Sequence, residues 1–197
     1  MSDTPTTRPS LLLRIRNADD DSAWTQFVEI YAMLIHRFAM RCGMQEADAA
    51  DLTQDVLGSV ASAIRRLDYE PTKGSFRSWL YTIVRNRVRN FFNRQGRHPR
   101  GSGDTAMLAV LEKQPAPGDD SDYWEQQYEK QLFRWAAEQI RGEFNEKHWQ
   151  AFWQTAVDGR GGQEVANGLE MSLGALYAAK SRVVRRLKEK IQQIDDR

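Results

Sequence analysis

Apolar residues recur at intervals of three and four along most of this chain, the spacing of helices that bury one face. Trp24, Phe27, Val28, Tyr31, Leu34, Ile35, Phe38 and Cys42 form the first such run, preceded by Asp19-Asp20-Asp21-Ser22. Those four supply capping oxygens and negative charge where a helix begins, and Gly43 supplies the positive φ that ends one. A second helix is predicted from about Glu46 to Leu67, with Ala47, Leu52, Val56, Val60, Ile64 and Leu67 in phase. Pro71 and Gly74 make DYEPTKG a loop, and Ser75 caps a third helix. Two more follow, Tyr123 to Phe144 with Trp124, Tyr128, Leu132, Trp135, Ala136 and Ile140 in phase, and His148 to Val157 with Trp149, Phe152, Trp153 and Ala156.

Between these groups, Gln95 to Asp122 is rich in Gly, Pro and Asp and reads as a linker. The expectation is an all-α chain of two small helical domains joined by a flexible linker. Residues 1–10 form a disordered N-terminus, 11–96 the first domain, 97–121 the linker and 122–197 the second.

The third helix opens on SFRSWLYTIVRNRVRNFF, residues 75–92, with four arginines, five aromatics and no acid. At 100° per residue, Phe76, Leu80, Ile83, Val84 and Phe91 fall on one arc and predict its core face. Tyr81, Arg85, Arg89 and Phe92 fall opposite, with Ser78, Thr82 and Asn93, so arginines and aromatics share an exposed face on which a nucleic acid could pair and stack, or which could simply be a solvated basic face. Trp79 lies at the stripe's edge. Arg87 lands inside the apolar arc, where its guanidinium must snorkel or meet an acid from a neighbouring helix.

The C-terminal segment GQEVANGLEMSLGALYAAKSRVVRRLKEKI predicts a short helix over Gln163 to Leu169, a three-residue turn, a cap at Ser172 and a long helix with Leu176, Ala179, Val183 and Leu187 inward. That is a helix-turn-helix pattern, whose second helix enters the major groove with its N-terminal residues at base edges. Ser172, Tyr177, Lys180, Ser181, Arg182 and Arg185 are placed for that contact.

Charge placement sharpens the picture, although the formal net charge is only +1. From Pro71 to Gly103 there are eight basic residues and no acid; from Asp104 to Glu129 seven acids stand against Lys113; the last helix is basic again. Two basic patches suggest two contacts with one polyanion. Cys42 is the single cysteine and the three histidines lie far apart, so neither a disulfide, a metal centre nor any cofactor is expected. The lack of a long apolar run or a secretory leader pattern at the start points to the cytoplasm.

DAADLTQDVLGSVASAI, the loop YEPTKGSF and RSWLYTIVRNRV, in that order, resemble region 2 of bacterial sigma factors of the extracytoplasmic function (ECF) type, in the sigma-70 family. EVANGLEMSLGALYAAKSRVVRRLKE is similar to their region 4. The resemblance implies a region 2 helical bundle and a region 4 helix-turn-helix in a non-enzymatic protein that binds core RNA polymerase, through its β′ clamp helices and β flap, and directs it to promoter DNA. It also implies that an anti-sigma factor can be a partner.

Residue by residue, Asp51, Leu52, Gln54 and Asp55 match the part that docks on the clamp helices; Asp48 stands on the same helix, one of a line of carboxylates suited to a partner's arginines. Asp68, Tyr69, Lys73, Ser75 and Phe76 match the loop that receives a flipped base of the minus-ten element. Arg77, Tyr81, Arg85, Asn86 and Arg89 match the surface that grips the minus-ten strand, and the last helix would read the minus-thirty-five element. The chain departs from the pattern at Asn90, where Asp is usual, and at Glu170, where the turn usually has Gly. The alternative reading is a free-standing helix-turn-helix regulator; a metal-dependent nuclease using the acids of the second helix is discounted, because those acids all come from one helix with no second set and no histidine nearby.

Overall fold

The computed structural model describes residues 11–17, 19–64, 76–95 and 117–194. Among them the elements are all helical: α1 (Leu11–Ile15), α2 (Asp21–Arg41), α3 (Glu46–Ala63), α4 (Phe76–Gln95), α5 (Pro117–Ile140), a 3₁₀ turn (Arg141–Glu143), α6 (Glu146–Phe152), a π turn (Trp153–Val157), α7 (Gly162–Gly168) and α8 (Leu173–Gln192). They divide into two compact units, residues 15–131 and residues 132–197 with 1–14. The dividing line therefore falls inside α5, between Gln131 and Leu132, rather than at residue 122.

That difference has a local cause. Pro and Gly in PAPGDD suggest a loop, but Pro is favoured at the first position of a helix, where no N–H is required, and acids in the first turn complement the helix dipole. Pro117 takes the first position and Asp120 stands in the first turn, so α5 starts at Pro117, within the stretch the sequence assigns to linker.

In the unit of residues 15–131, α2 packs on α3 and α4, and α3 on α4. Asp20 caps α2, its Oδ1 accepting from the Ala23 N–H at 2.9 Å. At the other end Gly43 takes φ +93°, the Gly43 N–H donates to Met40 O and the Met44 N–H to Ala39 O. This is the paired-bond Schellman ending that a left-handed residue permits. The core is aromatic. Phe27 stacks on Tyr31 with centroids 4.5 Å apart, and the Phe76 ring meets both edge-on at 5.8 Å.

The stripe of α4 that is buried is Phe76, Leu80, Val84, Val88 and Phe92, a strict four-residue spacing. Phe92, expected on the exposed face, is 6% exposed, while Ile83 and Phe91, expected in the core, are half-buried. Each four-residue step advances 40° around a 100° helix, so this stripe winds about α4 instead of keeping to one arc. Winding is tolerated because α4 is covered on more than one side: its start meets Phe27 and Tyr31 of α2, while Arg87, further along, meets α3. Arg87 behaves as expected of a cation in an apolar arc. Its Nη2 donates to Ser59 Oγ at 2.5 Å and its Nη1 lies 3.5 Å from Asp55 Oδ2.

In the other unit α6 and α7 pack on α8. Ala151, Val165, Ala166, Leu176 and Ala179 form its centre, with Leu169 and Met171 against them. Trp149 stacks on Trp153 at 5.8 Å, where the helix widens into the π turn and the Thr155 hydroxyl donates to the Ala151 carbonyl. The Arg186 guanidinium grips both oxygens of Glu143, at 2.6 and 2.9 Å, which holds that carboxyl below the usual glutamate range.

The turn between α7 and α8 repeats the ending of α2. The Glu170 N–H donates to Asn167 O and the Met171 N–H to Ala166 O, with Glu170 at φ +52°. A glutamate here keeps the glycine geometry rather than reshaping the turn, and a non-glycine residue held left-handed costs roughly 1–2 kcal/mol.

Replacing Glu170 by Gly is therefore expected to stabilise residues 132–197 by about 1 kcal/mol, read as a raised denaturant midpoint; an unchanged or lower midpoint would show that no strain is stored at this turn. For Glu143, a folded-state pKa below the unfolded one means its contribution is present at neutral pH and lost as pH falls through the folded value. NMR titration should place its midpoint below that of ordinary glutamates, and Arg186→Ala should restore the ordinary value.

Candidate nucleic-acid and polymerase interfaces

Two faces of the α3–α4 pair carry the sequence-predicted residues. On α3, Asp48, Asp51 and Asp55 are spaced three and four apart and so share a face, because i, i+3 and i+7 fall within one helical stripe. Asp51, Gln54 and Asp55 are exposed, Asp48 is half-buried, and Leu52 is buried beneath them as part of the core. A groove between α3 and α4 brings Asp48, Asp51, Leu52 and Asp55 together with Arg87, Asn90, Phe91 and Arg94. It is a mixed surface, carboxylates along one wall and guanidinium groups along the other, with the half-buried Phe91 ring between. Asp55 remains 74% exposed although Arg87 reaches it, so most of its charge faces outward. Among the described residues, no three potential metal-ligating side chains converge.

The strand-binding residues fare differently from one another. Asp68, Tyr69, Lys73 and Ser75 lie outside the described residues. Phe76, predicted to stack a base, is 2% exposed and locked against Phe27, Tyr31 and Trp79. Arg77 lies under α5, its Nε 3.3 Å from Glu125 Oε2 and its guanidinium 4.6 Å from the Tyr128 ring centre. Tyr81 meets Phe38 edge-on at 5.6 Å and Trp124 at 5.7 Å, and burial raises its phenol pKa above the ordinary value. Arg85 is half-buried, while Asn86 and Arg89 are exposed. The face left open on α4 is thus Ser78, Thr82, Asn86, Arg89 and Asn93, polar and basic, with the aromatics Tyr81 and Phe92 withdrawn from it.

In the helix-turn-helix, Ser172 Oγ accepts from the Ala175 N–H at 3.2 Å, so the residue offered as a DNA contact is also the N-cap of α8. Tyr177, Ser181, Arg182 and Arg185 are exposed and Lys180 is half-exposed. The hydroxyl of Tyr177 leans over Gly162, where a Cβ would come within 2.6 Å of it. Arg186, one residue beyond the predicted set, is committed to Glu143.

Sequence reasoning missed the contribution of α5. Trp124 and Tyr128 were assigned to the second domain by their helical phase, yet they pack on Phe38 and Tyr31 of α2. The signal available was the run of acids around them, which matches the acid-free α4 in charge.

Residues 27–98 match the family model described as Sigma-70 region 2. Over 78 residues the chain is 30% identical to the ECF RNA polymerase sigma factor RpoE of Cereibacter sphaeroides, which is 40% of this chain and 42% of that protein. Over 75 residues it is 32% identical to the ECF RNA polymerase sigma factor SigE of Mycolicibacterium smegmatis, 38% of this chain and 28% of the relative. The chain thus spans less than half the length of the curated relatives it matches. Among solved structures, CnrH in complex with the cytosolic domain of CnrY aligns over 92% of this chain and 95% of that one at 19% identity and a TM-score of 0.37. RpoE of Bartonella quintana in complex with the anti-sigma factor NepR aligns over 88% and 98% at 19% identity and a TM-score of 0.32. Residues 27–98 thus carry a sigma-70 region 2 domain, and over stretches of 78 and 75 residues the chain is similar to sigma factors of the ECF type.

Proposed function

We propose that this chain is a dissociable, non-enzymatic subunit that binds core RNA polymerase in the cytoplasm and directs it to specific promoters. The observation that carries this reading is the region 2 match over residues 27–98, which holds the acidic face of α3 and the basic face of α4 in one compact unit. Asp48, Asp51, Gln54 and Asp55, seated on Leu52, form the docking surface for the β′ clamp helices. Exposed carboxylates offered in a row suit bidentate capture by a partner's arginines. Phe91 and Arg94 on the opposite wall of the groove extend the contact.

Minus-ten recognition belongs to α4 and the residues that precede it. Arg85, Asn86 and Arg89 take strand phosphates and base edges, and Tyr81 stacks a base once it is uncovered. Stacking of one base on an aromatic ring is worth roughly 1–3 kcal/mol, enough to offset part of the cost of unpairing. Residues Tyr177, Lys180, Ser181, Arg182 and Arg185 of α8 read the minus-thirty-five duplex from the major groove, and the β flap holds that unit on the enzyme. Two separate DNA contacts on one subunit fix both the position and the direction of initiation, which a lone helix-turn-helix cannot do. An anti-sigma factor completes the set of partners.

Asp55→Arg is expected to weaken binding to core polymerase by roughly tenfold or more, since it sets like charges against each other, with far-ultraviolet circular dichroism unchanged. Wild-type affinity in that variant would place the docking surface elsewhere. Arg182→Ala should weaken binding to a minus-thirty-five duplex and lower the magnitude of the salt slope by about 1. An unaltered slope would remove Arg182 from the phosphate contacts.

A further inference from the structure

The segment Asp120–Gln131 of α5 is built like a substitute for the ligand proposed for α4. It carries Asp120, Asp122, Glu125 and Glu129 against Lys130 alone. Glu125 occupies Arg77 at 3.3 Å, where a phosphate oxygen would sit. The Trp124 indole lies on Tyr81, where a base would stack. Asp120, buried, approaches Arg41 of α2 to 3.9 Å, and the same guanidinium lies 4.0 Å from the Tyr123 ring centre. Gln131 closes the far end, its Nε2 donating to Glu29 O at 3.3 Å.

We propose that this half of α5 is a detachable cover that competes with single-stranded nucleic acid for Arg77 and Tyr81, so that the free chain holds its strand-binding face closed. The inference rests on the reading of α4 given above. Geometry supports detachment as well as closure. Tyr81 Oη and Trp124 Nε1 are both buried with no hydrogen-bond partner. Each would be hydrated in the open state, so the closed state keeps two unmet hydrogen bonds at its centre. The charge contacts that hold it, Arg77 to Glu125 and Arg41 to Asp120, are ones that phosphates can replace with equal sign and similar reach. A strand arriving at α4 therefore gains what the cover gives up.

The chain supplies its own reporter. Cys42, its single cysteine, follows the last turn of α2, and burial together with nearby Asp120 raises the thiol pKa to about 11. Since the thiolate is the reactive form, alkylation of Cys42 should be slow when the cover is closed and faster when it leaves.

The test uses the full chain, a short fluorescein-labelled single-stranded deoxyoligonucleotide, and iodoacetamide. Trp124→Ala removes the ring without changing charge and should bind the oligonucleotide about tenfold more tightly, because the fraction of competent molecules rises. It should also alkylate faster at Cys42. Trp124→Phe keeps an apolar ring and removes the unpaired N–H, so it should close harder and bind two- to threefold more weakly, a sign that general unfolding cannot produce. In the wild type, saturating oligonucleotide should speed alkylation. If the wild type binds the oligonucleotide through Arg89, as shown by loss in Arg89→Ala, while Trp124→Ala binds no better and Cys42 stays protected, the cover is overturned and the reading of α4 stands. If Trp124→Ala frees Cys42 yet gains no affinity while Arg89→Ala still lowers binding, the competition is overturned and the reading of α4 stands; if Arg89→Ala leaves binding unchanged, the reading of α4 falls and the competition falls with it.

Discussion

The placement of α4 and of the first half of α5 on α2 depends on one aromatic column. Phe27, Tyr31 and Phe38 stand along the inner face of α2, and each receives rings from elsewhere: Phe76 on the first two, Tyr128 on Tyr31, and Tyr81 with Trp124 on Phe38. Edge-to-face and offset contacts of this kind add directional preference to apolar burial, so the column sets where α4 and the first half of α5 can lie as well as how tightly they are held. The acidic face of α3 and the basic face of α4 are presented outward because their opposite sides are buried, α3 through Ala49, Leu52, Val56 and Val60 and α4 through Phe76, Leu80, Val84 and Val88.

The helical plan was legible because it depends on local signals. Asp20 caps α2, Gly43 ends it, Ser172 caps α8, and Leu176, Ala179, Val183 and Leu187 are all buried. Arg87 too was legible, since a cation among apolar neighbours must find an acid and α3 offers Asp55. The errors arose where tertiary contacts decide. A helical wheel assumes that a helix has one inside, and α4 has several, so Phe92 was put in solvent and Phe91 in the core. The start of α5 was read as a linker because Pro and Gly break helices in their middles, although Pro is at home in a first turn.

Of the charged residues assigned to the candidate site, Asp51, Asp55, Arg89, Arg182 and Arg185 are exposed, while Asp48, Arg77, Arg85 and Lys180 are half-buried. Among its aromatics, Tyr177 is exposed, whereas Phe76 is buried and Tyr81 is half-buried. Phe76 and Tyr81 are residues for which a stacking role and a core role use the same chemistry, and only coordinates distinguish them. Arginine is ambiguous in the same way at shorter range, since Arg77, Arg87 and Arg186 are each drawn to an acid of this chain.

The chain uses one turn geometry twice, with glycine at residue 43 and glutamate at residue 170. Both glutamate codons become glycine codons by the same single base change, so the left-handed strain at residue 170 lies one mutational step from relief. The side chain offers little in return, an exposed pair with Lys147 at 3.8 Å. Residue 170 is consequently a marker of selection: a laboratory population of this gene evolved for heat tolerance should lose the glutamate early, and one evolved only for activity has no reason to.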